Sequence, residues 1–147
     1  MNTKSTRPGS KRIPNWVRLT LAALGLVSWS GSARPQDIDS MPPVVVRTVP
    51  EAGSTNVSPG VVEIKVTYSK EMRDRSWSWS SAWQGSEPEV VEPPKYEADG
   101  RTCVLKVRLK PNTPYGYWLN SPNFKNFKDR QGRPAVAYLL TFQTKTP

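Results

Sequence analysis

Residues 61–68 read VVEIKVTY, and their alternation decides the fold. Val62, Ile64, Val66 and Tyr68 fall on one face of an extended chain, while Glu63, Lys65 and Thr67 fall on the other. A strict period of two with one apolar face is the pattern of an antiparallel strand covered on one side and wet on the other. The same pattern returns at Thr102 to Leu109 (TCVLKVRL), with Cys103, Leu105, Val107 and Leu109 inward and Lys106 and Arg108 outward. Tyr115, Tyr117 and Leu119 repeat it on the next segment.

Outward from these strands, Val44 to Val49 predicts a first strand, and Pro50 to Gly60 (PEAGSTNVSPG) is dense in turn formers. Ser76 to Trp83 (SWSWSSAW) predicts a strand in which Trp77, Trp79 and Trp83 share parity. Residues 84–95 (QGSEPEVVEPPK) carry three prolines and read as an irregular excursion; Ala98-Asp99-Gly100 reads as a hairpin turn. Lys128 to Pro134 is another turn region, and Ala135 to Thr144 predicts the last strand. No stretch sustains a helical period, although Pro122 to Phe127 has room for a single turn. About seven short strands separated by Pro, Gly and Asn turns predict an all-β, Greek-key β-sandwich of the immunoglobulin-like kind. At 147 residues the chain holds one such core.

Upstream of the sandwich, residues 1–18 are basic and polar, Leu19 to Val27 is a short apolar run, and Ser28 to Ala33 is rich in small residues. That order predicts a secretory signal peptide over 1–33, with Gly31 and Ala33 as the small residues at the cleavage site. A spanning helix needs about 20 apolar residues, roughly twice this run, so no membrane span is expected after cleavage. Residues 34–41 are expected to form a flexible leader and 42–145 the domain.

The formal charge of +9 invites a nucleic-acid reading, but Lys4, Arg7, Lys11, Arg12 and Arg18 all lie within the first 33 residues. Past them, 16 cations face 12 acids, with Lys and Arg on alternate strand positions as on a solvated face. No basic run is interleaved with aromatics, so no nucleic-acid partner is expected. The single Cys103 has no partner for an internal disulfide and reads as a small buried residue. Histidine is absent, which removes the commonest general base and the usual zinc ligands. Glu87, Glu89 and Glu92 sit on one proline-rich stretch, whereas paired catalytic carboxylates come from separate elements across a cleft. Asp99 and Asp129 show no calcium-loop spacing. We therefore expect no catalytic residue, no metal and no cofactor.

Two local signatures carry a family resemblance. Residues 48–72 resemble the opening of the bacterial Ig-like domain of S-layer and other envelope proteins, the SbsA type, through Pro50, Ala52-Gly53, Asn56-Val57, Tyr68-Ser69-Lys70 and Met72. Leu109 to Tyr115 (LKPNTPY) resembles the tyrosine corner of Ig sandwiches, implying that Tyr115, with Pro111 in its turn, has a structural role. Asp129 to Gly132 and the closing strand resemble the family's last hairpin. The resemblance implies a secreted or periplasmic, non-catalytic module of the cell envelope.

Such a module acts through protein contacts or as a structural component, or else binds carbohydrate, or serves as an accessory domain of an envelope enzyme or transporter. Its partner would be an envelope protein or polysaccharide. Trp77 and Trp79 are expected in the core. Trp83, at the strand end, is a candidate for either core or binding surface. Trp118 has parity opposite to Tyr115 and Tyr117, so it is a second binding candidate, or else covers a satellite cluster with Phe124 and Phe127.

Overall fold

The structure is a computed structural model and describes residues 36–146; the expected signal segment, 1–33, lies outside the described residues. Among the described residues seven strands form: β1 (Val45–Val49), β2 (Gly60–Tyr68), β3 (Trp79–Ser81), β4 (Glu89–Tyr96), β5 (Thr102–Leu109), β6 (Pro114–Leu119) and β7 (Tyr138–Gln143). They make two antiparallel sheets, ordered β1-β2-β5-β4 and β3-β6-β7. This is the immunoglobulin-like order, with the chain crossing between sheets after β2, β3 and β5.

The alternation in the sequence becomes the core. Ile64, Val66 and Tyr68 of β2 and Cys103, Leu105, Val107 and Leu109 of β5 pack against Tyr115, Tyr117 and Leu119 of β6 and Leu140 and Phe142 of β7. β2 and β5 pair without a break from Gly60↔Leu109 to Thr67↔Thr102. Their outward side chains form a charged ladder, with Lys65 2.6 Å from Glu97, Lys106 2.5 Å from Glu92, and Arg108 3.3 Å from Glu89. Pairs this exposed add little stability. They keep the face wet.

Residues 84–95 depart from expectation, because β4 occupies 89–96 despite Pro93 and Pro94. It is an edge strand paired only to β5, and its register slips between Val90 and Glu92 and again between Glu92 and Lys95. Proline is tolerated at edges and bulges, where no ladder N–H is needed. The final strand is shorter than expected, and so is β3.

The outer edge of β7 is covered by the turn-rich segment after β1. Gly53 N–H donates to Thr141 O at 2.7 Å, Gln143 N–H to Ser54 O at 2.7 Å, and Val57 N–H to Gln143 O at 3.2 Å. Covering an edge in this way blocks edge-to-edge pairing with other chains.

At the LKPNTPY turn, Lys110 N–H donates to the Tyr115 hydroxyl oxygen at 2.7 Å. Asn112 sits in the left-handed region (φ 48°), and the Thr144 hydroxyl donates to Lys110 O at 2.6 Å, tying this corner to the end of the chain. Near the N-terminus, residues 37–40 form a turn in which Ser40 N–H donates to the Asp37 carboxylate at 2.7 Å. The Lys70 ammonium donates to Asp39 O at 3.3 Å and to Met41 O.

Two distant signatures meet at one end of the sandwich. Met72 bridges Asp129, and the fully buried Asp129 carboxylate lies 2.8 Å from Arg133 Nε and 3.7 Å from Lys70 Nζ. Burial alone would push the Asp129 pKa up; hydrogen bonds from the Arg133 backbone N–H and guanidinium, with the charges of Arg133 and Lys70, overcome this and hold it below 3.8. A depressed native pKa gives stability that is present above the unfolded value and is lost as pH falls through the native one. We expect Asp129→Ala to cost about 2 kcal/mol in urea unfolding at neutral pH, since it leaves the partly buried Lys70 and Arg133 and the Arg133 N–H without their acceptor. The gap between the proteins should narrow below pH of about 4; a gap unchanged down to acid pH would contradict the ion-pair account.

Candidate functional site

The two outer faces of the sandwich differ in chemistry. Opposite the charged ladder, the outer face of the three-stranded sheet has no charged residue at its strand positions. Ser80 of β3, Pro114, Gly116 and Trp118 of β6, and Leu139, Thr141 and Gln143 of β7 occupy it. Ser80, Trp118 and Leu139 stand side by side across the strands, and Gly116 lies opposite Thr141. Trp118 is half-buried and Leu139 is exposed.

Trp83 joins this face from a turn. A chain continuing β3 would keep Trp83 on the inner side with Trp79, as parity predicts, but the chain turns at residues 82–86 and carries Trp83 outward. Ser86, fully buried, is the cause. Its hydroxyl accepts from Ala82 N–H at 2.9 Å and Trp83 N–H at 3.2 Å, and donates to Gly116 O at 2.8 Å. Gly116 N–H in turn donates to Ser86 O at 3.0 Å. Gly85, at φ 78°, supplies the left-handed residue that lets the turn close.

The indole then settles over Gly116. A Cβ at Gly116 would come within 2.4 Å of Trp83 Cζ3, 2.7 Å of Cη2 and 2.9 Å of the Ala82 Cβ. Tyr115 and Tyr117 point into the core, so the missing Cβ points outward, and Trp83 occupies its place. Even so, Trp83 remains 43% exposed. An exposed indole fixed by buried hydrogen bonds and a side-chain-free seat has little rotamer freedom left to lose on binding.

The other tryptophans go elsewhere. Trp79 packs edge-on against Tyr117 (centroids 5.2 Å apart) and Phe127 (5.7 Å), and Trp77 packs against the core. Both also line an open groove of about 710 Å³ between β3 and β4. The Trp79 indole N–H is buried without an oxygen or nitrogen partner. Burial pushes the Cys103 thiol up to about 12, against a smaller downward pull from the Trp79 N–H, so the thiol is unreactive. Of the two rings that would cluster with Trp118, neither is buried beneath the loop. Phe127 is drawn into the core against Tyr68, while Phe124 is 57% exposed.

A residue hidden from sequence reasoning drives that change. Asn120, buried at φ 59°, accepts from Phe127 N–H at 2.9 Å and donates to Phe127 O and Ala135 O at 2.9 Å each. Its amide thus pins Phe127 inward. The acidic candidates do not converge: Glu89 and Glu92 belong to the ladder, Asp99 accepts from Arg101 and Thr102 in its hairpin turn, and Asp129 faces Arg133. Among the described residues no group of three or more His, Cys, Asp or Glu is placed to hold a metal.

Gly116→Ala tests the seat. The added methyl must displace both the far end of the indole and the Ala82 Cβ, at a cost of about 2 kcal/mol. We expect tryptophan fluorescence to become more accessible to acrylamide while the fold persists; quenching identical to wild type would contradict the seating.

No curated protein matches the sequence. A family model described as bacterial Ig-like domain matches residues 39–144, which include all seven strands, the Lys70–Asp129 junction and the Trp83 seat. The chain therefore belongs to the bacterial Ig-like domain family.

Proposed function

We propose that this chain is a non-catalytic module of the bacterial cell envelope that works by presenting a preformed contact surface, the outer face of the three-stranded sheet. The single observation behind this reading is Trp83, held exposed over Gly116 by the buried Ser86. A domain that needed only to be a spacer gains nothing from ordering an indole on its surface, whereas a binding surface gains affinity from the preorganisation.

The envelope location rests on three supports. Bacterial Ig-like domains are often extracellular or surface-associated, and residues 39–144 match that family. The 1–33 segment has the order of an export signal. The opening at 48–72 resembles the S-layer type. No helix among the described residues is long and apolar enough to cross a membrane. The non-catalytic reading is supported by carboxylates already spent on structural ion pairs and turns, a buried thiol with a raised pKa, and the lack of histidine.

Co-sedimentation of the purified protein with envelope fractions of the producing bacterium tests the reading. Wild type is expected to pellet with the envelope, and a Trp83→Ala/Trp118→Ala double variant to lose affinity at least about tenfold. Lys106→Ala, on the opposite face, should pellet like wild type. Equal pelleting of all three, or none by wild type, would contradict the assignment.

A further inference from the structure

We infer that the partner of this face is an uncharged polysaccharide, an inference that rests on the contact-surface reading above. Size argues first. At its widest the face is three strands across, at about 4.8 Å per strand; β6 and β7 are six residues long, at about 3.4 Å each, and β3 covers only three of them. The face thus measures at most roughly 15 by 20 Å, on the order of 300 Å². A standard protein interface occupies about 800 Å² on each partner. A few linked sugars fill this face; a folded protein overhangs it.

Charge argues second. Every strand position of the face is neutral, in a chain whose other sheet carries the ion-pair ladder of Lys65, Lys106 and Arg108. A surface meant for an anionic polymer would place such cations toward it. This one offers Ser80, Thr141 and Gln143, neutral groups that both donate and accept and so match sugar hydroxyls.

Spacing of the aromatics argues third. Trp118 and the Gly116 seat of Trp83 are two residues apart on one strand, roughly 7 Å, so neighbouring sugars of one chain reach both indoles. The C–H faces of pyranose rings stack on indoles, and the fixed Trp83 offers such a platform without ordering cost.

The probe is the uncharged polysaccharide fraction stripped from the same envelope and freed of protein, embedded in native gels, with alginate gels as the anionic comparison. The neutral fraction should retard wild type, and retardation should persist at high salt. Trp83→Ala and Trp118→Ala should each weaken it at least about tenfold, while Trp83→Tyr, which keeps a stacking ring, should retain most of it. Retardation by alginate alone, abolished by salt, would overturn the inference, as would retardation by the neutral fraction that neither alanine variant changes. If the neutral fraction fails while wild type still pellets with envelope in a Trp83-dependent, protease-sensitive way, the saccharide falls and the contact face stands. If the alanine variants pellet like wild type, both fall.

Discussion

Everything in this fold depends on burying the alternating apolar faces of β2 and β5 against β6 and β7. The two central strands pair over eight residues, and their inward side chains share one core cluster with those of the opposite sheet. No disulfide backs this contact, since Cys103 is alone and itself lies in the core. The remaining devices protect that layer. The 53–57 segment seals the β7 edge, the prolines and bulges blunt β4, and Asn120 draws Phe127 beneath the sheets.

The family signatures acquire physical reasons in this arrangement. Asn56-Val57 lies where the chain covers β7, with Val57 bridging Thr144. Lys70 and Met72 leave β2 to meet Asp129, so residues nearly sixty positions apart close the same end of the sandwich. The Tyr115 hydroxyl closes the other crossing by accepting from Lys110 N–H. Each signature marks a junction where regular pairing stops and buried polar groups need named partners.

Period-two alternation is a local property, and so the strands that alternate cleanly, β2, β5 and β6, were legible in the sequence. β4 was not, because proline is a sound breaker for a central strand and nothing in 84–95 announces that the segment lies at an edge. Trp83 stayed open between core and surface for a similar reason. Parity holds only while a strand continues, and the residue that ends it, Ser86, acts through hydrogen bonds to Gly116, thirty positions away. The polar pins Asn120 and Ser86 are ordinary surface types by composition; only the tertiary structure buries them. The candidate site was thus half legible, as two tryptophans without the seat that joins them to one face.

The resulting sandwich is asymmetric. One sheet turns charge to the solvent, and the other turns a neutral face with an indole locked in place. That order is the central claim, and side-chain ¹⁵N relaxation of the tryptophan indoles tests it most directly. The account predicts a heteronuclear NOE for the Trp83 N–H as high as that of core-packed Trp79, despite its exposure. A low NOE, with the indole averaging among rotamers, would contradict it.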